Sequence, residues 1–129
     1  MNADVDRITR RRQAQNQAQA FFGATDGIID VSKGTDAITL NACKDFVQAV
    51  HTMFLRDHNI DLREKNLEEA TFLVFSYLQS QTMNDYIEPN MAFAYGQALA
   101  LSIMKLGLHK EQAEKGHRLV ITGFQPIFK

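Results

Sequence analysis

Apolar residues recur at intervals of three and four along most of the chain, a spacing that is typical of amphipathic helices. The clearest stripe consists of four residues spaced by four: Ala42, Phe46, Val50 and Phe54. Thr35 or Asp36 can cap a helix that carries this stripe, because their side-chain oxygens accept hydrogen bonds from the free amides of a first turn. The pattern therefore predicts a helix that begins near residue 36 and ends near His58.

A third helix is predicted to begin at a capping box. Asn66 is followed three positions later by Glu69, a spacing that lets each side chain accept from the other residue's backbone amide. Its apolar stripe comprises Leu67, Ala70, Val74 and Leu78. We expect this helix to end at Glu88, because Pro89 disfavours a helical conformation in the residue before it.

The fourth helix is predicted over residues 90–106, with Pro89 in its first turn, where the missing amide hydrogen is no loss. Small residues are spaced by four along it: Ala92, Gly96 and Ala100. They indicate close packing against another helix of the same chain. Gly107 is placed to close the helix in a left-handed cap, and a short fifth helix is predicted over residues 110–115.

Two short β-branched runs are candidates for strands. They are residues 28–31, within a Gly-rich connector, and residues 119–122, near the end of the chain. Because a single strand leaves its backbone groups unpaired, we hypothesise that the two runs pair with each other; pairing with a second copy is the alternative. The predicted fold is mainly α, a small bundle of four to five helices with this optional two-stranded pairing.

The N-terminal segment is helical by composition but poor in apolar residues. Val5 and Ile8 start a stripe, whereas three polar residues occupy the positions that would continue it: Arg12, Gln15 and Gln19. A helix that is polar most of the way round is either solvated or held by a partner. We therefore divide the chain into a polar, Arg-rich helical arm over residues 1–22 and a single helical domain over residues 23–129. We expect the arm to be too polar to pack against its own domain.

Composition and charge narrow the classes of function. A hydrophobic content of 45% with 22% charged residues is ordinary for a globular protein, and a net charge of −1 gives no global attraction to nucleic acid or anionic lipid. No run of about 18 apolar residues occurs, so we expect no membrane partner. The single cysteine, Cys43, cannot form an internal disulfide, which fits a cytoplasmic location.

Four arginines in the arm form the most distinctive candidate site. On a helix Arg7, Arg10 and Arg11 lie close together, while Arg12 points about 100° away from Arg11. Such a cluster suits a solvated face, a protein partner or the phosphates of a nucleic acid. The candidate partner-binding residues are Arg7, Arg10, Arg11, Arg12, Phe21 and Phe22. The alternative for the two phenylalanines is that they close one end of the bundle core.

Other reactive side chains do not form a catalytic constellation in the sequence. Cys43 lies about two turns inside a predicted helix and too far from His51 for activation, so we interpret it as a buried structural thiol. Asp57, His58 and Asp61 form only a loose group of oxygen and nitrogen ligands. We predict no catalytic residues, no metal and no cofactor.

These observations favour a small non-enzymatic protein–protein interaction protein, adaptor or regulatory, whose partner is another protein, itself or both. The simplest version is a homodimer that buries the arm. Two alternatives stay open: a nucleic-acid-binding accessory protein that uses the N-terminal arginines, and an enzyme of a class that the sequence does not reveal.

Overall fold

A computed structural model describes residues 3–25, 37–82, 87 and 89–110 of the 129-residue chain. These residues form four α-helices and one 3₁₀ turn: α1 Ala3–Thr25, α2 Ala37–Asp57, the turn Leu62–Glu64, α3 Leu67–Ser80 and α4 Pro89–Leu106. No strand occurs among the described residues, and the mainly α prediction is confirmed. The proposed β pairing of residues 28–31 with 119–122, and residues 111–115 of the predicted fifth helix, lie outside the described residues.

The core lies where the four helices meet, and aromatic rings connect them. Phe46 of α2 stacks on Phe21 of α1 with ring centroids 6.0 Å apart, and on Tyr77 of α3 at 6.2 Å. Tyr95 of α4 meets Phe21 edge to face at 5.3 Å. The predicted row of small residues in α4 is buried, so α4 packs closely against α2 and α3 as expected.

Helix α1 runs antiparallel to α2 and packs along it. Near the N-terminus of α1, Arg10 donates to Asp57, the last residue of α2. Near the other end of α1, the Ala24 carbonyl accepts from the Thr39 hydroxyl at 3.5 Å, in the first turn of α2. These two contacts define both the direction and the register of the pair.

The expectation that α1 is too polar to pack against its own domain is wrong. Ala14, Ala18 and Phe21, spaced by four and three, are 0% exposed and belong to the core. The buried stripe is made of methyl groups and one ring, and it does not continue the Val5 stripe. Small side chains let two helix backbones approach closely, so little apolar bulk is needed. The helix also continues past residue 22, to Thr25.

Two predicted helix caps are confirmed. Asn66 Oδ1 accepts from the Glu69 amide at 2.8 Å, and Glu69 Oε1 accepts from the Asn66 amide at 3.3 Å. Gly107 has a positive φ of 66°, and the next amide, of Leu108, donates to the Ile103 carbonyl at 3.0 Å. This is the hydrogen bond of a Schellman cap, which needs a left-handed residue such as glycine.

Helix α3 ends at Ser80, eight residues before the predicted end at Glu88. Leu78 is its last buried residue, and the four that follow, residues 79–82, are all polar. The Ser80 hydroxyl donates to the Tyr77 carbonyl at 2.6 Å. Because these four polar residues bury no apolar side chain and hydroxyl groups bond to the backbone, another turn of helix directly after Ser80 gains no packing.

Replacing Phe21 with alanine tests whether α1 belongs to the core. Removing a fully buried ring destabilises a protein by about 3–5 kcal/mol, so Phe21→Ala is expected to lower the free energy of unfolding by that amount. Urea unfolding followed by far-UV circular dichroism measures the change. Gln19→Ala, an exposed position on the same helix, is the control and should change it by less than about 0.5 kcal/mol. Equal stability of the two variants would show that α1 does not pack in solution.

Candidate interaction surface

The first part of α1 projects beyond the helix on which it packs. Because Arg10 lies beside Asp57 and α2 ends there, the residues before Arg10 have no turn of α2 opposite them. All six residues from Asp4 to Thr9 are exposed. At about 1.5 Å per residue they extend about 9 Å past the end of α2. We call residues 4–9 the α1 overhang.

The overhang combines aliphatic side chains with charges of both signs. Val5 is 51% exposed and Ile8 is 50% exposed. Asp4 and Asp6 lie in the first turn, where the free backbone amides favour negative charge. Thr9 donates its hydroxyl to the Val5 carbonyl at 2.9 Å, so its side chain is folded back onto the helix.

Arg10 is committed to an internal acid. Its Nε donates to Asp57 Oδ1 at 2.9 Å, and its Nη2 forms an ion pair with the same oxygen. The Asp57 side chain is only 4% exposed, while that of Arg10 is 21% exposed. The hydrogen bond from Arg10 lowers the pKa of Asp57, and the same bond raises the pKa of Arg10. Arg10 therefore positions α1 on α2. Because its guanidinium is already paired with Asp57, it is poorly available to a binding partner.

The other three arginines of the candidate set are exposed. Arg7 lies near enough for its charge to contribute to lowering the pKa of Asp57. Burial raises the pKa of the Tyr77 hydroxyl, and the charge of Arg11 acts in the opposite direction. Arg7 and Arg11 therefore lie towards the body of the bundle, whereas Arg12 lies on the side of α1 that faces away from α2.

The two phenylalanines of the candidate set have different environments. Phe21 is 0% exposed, between Phe46 and Tyr95. Phe22 is half-buried and meets Tyr95 edge to face at 5.8 Å. Phe21 has no surface to offer a partner, so we remove it from the candidate partner-binding set. Its ring instead packs in the core, as the alternative interpretation held.

A polar groove of about 300 Å³ lies between α1 and α2, next to the overhang. Its polar lining residues are Arg10, Gln13, Gln17, Asp45, Gln48 and Thr52. The α2 residues of this groove were not candidates in the sequence analysis. Their spacing of three and four marks the polar side of α2, but nothing in the sequence shows that α1 lies beside it. The groove offers hydrogen-bond donors and acceptors adjacent to the overhang.

Cys43 is buried, as predicted. It is 0% exposed, and its thiol donates to the Ala98 carbonyl at 3.5 Å. Burial raises its pKa to about 12, so the thiol stays protonated at neutral pH and is a poor nucleophile. Burial also lowers the pKa of His51, against the opposing charge of Asp61, so this imidazole is neutral at pH 7.

The carboxylates of the loose group around His58 are engaged with arginines. Asp57 accepts from Arg10, and Asp61 accepts from both Nε and Nη2 of Arg63, at 2.9 and 3.0 Å. Across the described ranges, no three histidine, cysteine, aspartate or glutamate side chains are grouped so that they could hold a metal ion.

Comparisons of this chain with family models, curated proteins and solved structures return no match. Among the helices described here, none combines the length and apolar character needed to cross a membrane. The candidate interaction surface therefore rests on the structure alone, and it consists of the α1 overhang and Arg12, one turn further along the helix.

The Arg10–Asp57 pair predicts a specific pH dependence of stability. Since Arg10 lowers the folded-state pKa of Asp57, the stabilisation is present above the ordinary aspartate pKa of about 3.9 and is lost as the pH falls through the lowered value. Arg10→Gln is therefore expected to lower the free energy of unfolding at pH 7. At a pH below the folded-state pKa of Asp57, the difference from the wild type should disappear.

Urea unfolding at a series of pH values measures this difference. Arg12→Gln is the matched control, because α1 has no acidic residue three or four positions from Arg12. A double-mutant cycle with Asp57→Asn isolates the pairwise energy. A loss of stability in Arg10→Gln that does not change with pH would mean that the pair does not form.

Proposed function

We propose that this chain is a small, non-enzymatic adaptor or regulatory protein that binds another protein through the α1 overhang. One observation carries the proposal. Helix α1 presents six successive exposed residues, two of them aliphatic, beyond the end of the helix on which it packs.

Exposed aliphatic side chains on this helix support a contact surface. A single exposed aliphatic residue needs no explanation, since much of any protein surface is apolar. Val5 and Ile8, however, are three residues apart and lie on one face, so their exposed areas adjoin. Contiguous exposed apolar area rimmed by charge is typical of protein-binding sites.

The charges of α1 favour a protein over a nucleic acid as the partner. A phosphate backbone is attracted by charges of one sign, and each phosphate contact needs a cation that is free to make it. In this helix Arg10 is paired with Asp57, and two acidic residues, Asp4 and Asp6, lie in the first turn, just before the arginines. Charges of both signs on one short helix complement a protein surface more readily than a polyanion.

The state of Cys43 supports the non-enzymatic part of the proposal and its cytoplasmic location. The only cysteine of the chain is a buried thiol with a raised pKa, which is the environment of a structural cysteine rather than of a nucleophile. A lone free thiol is also typical of proteins from reducing compartments.

Affinity capture from native lysate of the source cell tests the proposal. Val5→Ser with Ile8→Ser removes the aliphatic surface, and Gln15→Ser with Gln19→Ser is the matched control on the exposed side of the same helix. Burying an aliphatic side chain in the complex is worth about 1.5–3 kcal/mol, so losing both is expected to reduce the recovered protein by about tenfold or more. The control should recover as much as the wild type.

Treatment with nuclease separates the alternatives. Recovery that survives nuclease and depends on the overhang supports the proposal. Recovery that nuclease abolishes would favour the nucleic-acid-binding alternative, and equal recovery by both double variants would place the binding surface elsewhere on the chain.

A further inference from the structure

We infer that the partner of the α1 overhang is a second copy of this chain, docked antiparallel with Ile8 at the two-fold axis. The inference rests on the proposed function, because it names the partner for the same surface. It is carried by the order of charges along one exposed face of α1.

Four residues of α1 share that face. Asp4, Ile8 and Arg12 follow one another at intervals of four, and Val5 lies beside them, three residues before Ile8. All four are exposed. Ile8 is about 120° around the helix from the fully buried Ala14, so the face points away from α2.

The face carries an acid at one end, a base at the other and an aliphatic residue between them. Asp4 and Arg12 each lie about 6 Å along the axis from Ile8. Within one helix they are about 12 Å apart and cannot pair with each other. In an antiparallel pair of α1 helices centred on Ile8, each Asp4 lies opposite Arg12 of the second copy, and the two Ile8 side chains meet.

Three other arrangements of the two helices leave like charges together. A parallel pair in register places Arg12 beside Arg12, and an antiparallel pair centred on Arg12 does the same. An antiparallel pair centred on Asp4 brings two carboxylates together. Since like charges in contact disfavour an interface, the charge order favours the pairing centred on Ile8 over these three. Within α1, the residues three and four positions from Arg12 are uncharged. This arginine therefore has no acidic residue of its own helix within ion-pair distance.

The position of the overhang makes the face accessible to another helix. It lies past the end of α2, on the side of α1 away from the core, so α2 does not obstruct a second overhang laid alongside. The contact spans only two to three turns, well short of the 1,200 Å² or more of a stable interface, and we expect a dissociation constant of about 0.1–1 mM.

A charge swap tests both the partner and the register. Asp4→Arg alone and Arg12→Asp alone each place like charges together twice, and each is expected to weaken self-association of the full chain on the order of tenfold. The double variant Asp4→Arg/Arg12→Asp restores opposite charges and should recover the wild-type dissociation constant. Sedimentation equilibrium between about 10 µM and 1 mM covers the expected range.

A matched control excludes an effect of net charge. Arg56→Asp makes the same charge change as Arg12→Asp at an exposed position of α2, and it should leave the dissociation constant unchanged. Failure of the double variant to restore association overturns the inferred register. A wild-type chain that is monomeric up to 1 mM overturns self-docking. If lysate capture nevertheless recovers a different protein through Val5 and Ile8, the proposed function stands and only this inference fails.

Disulfide cross-linking provides an independent test of the axis. The buried Cys43 does not compete, so Ile8→Cys introduces a single reactive thiol, and copper phenanthroline supplies the oxidant. Rapid formation of an intermolecular disulfide is expected at position 8, where two thiols meet across the axis. Gln19→Cys, an exposed position well away from the axis, should cross-link slowly. Equal rates would overturn the placement of Ile8 at the axis.

Discussion

Burial of the Phe21 ring is the interaction on which the arrangement of α1 depends. The ring contacts Phe46 of α2 and Tyr95 of α4, and the methyl groups of Ala14 and Ala18 continue the same buried stripe. This contact lies in the C-terminal half of α1, and it holds α1 in the register that the Arg10–Asp57 and Thr39–Ala24 contacts define. Helix α2 ends at Asp57, beside Arg10, so the α1 overhang has no turn of α2 beneath it. The exposure of the α1 overhang is thus a geometric consequence of the position of Phe21 in α1.

Features governed by local chemistry could be predicted from the sequence. The capping box of Asn66 depends on residues three apart, and the cap at Gly107 depends on one residue that adopts a positive φ without strain. Pro89 at the start of α4 and the stripe through Phe46 are likewise readable within a single helix. Each of these signals is contained in a few neighbouring residues, and the sequence predicts each of these features at the position where the structure has it.

Features governed by distant contacts could not be predicted. The buried stripe of α1 consists largely of alanines, which also occur on solvated helices, so the sequence does not distinguish the two cases. Arg10 and Asp57 are 47 residues apart, and nothing local indicates that they meet. Of the candidate partner-binding residues, Arg7 and Arg12 are exposed and Phe21 belongs to the core, and partner binding by the exposed ones stays a prediction.

Residues 4–13 of α1 include no buried side chain, and this has a thermodynamic consequence for recognition. The first turns of α1 can unwind and re-form without uncovering a buried residue of the stripe at Ala14, Ala18 and Phe21, and the Arg10–Asp57 contact is one that opposes this fraying. A binding event that requires the helical form must therefore hold a segment that is partly unwound at equilibrium. The apparent affinity for the partner equals the intrinsic affinity multiplied by the fraction of chains in which this segment is helical. Conditions that promote helix at the N-terminus of α1 therefore strengthen binding without altering a single contact.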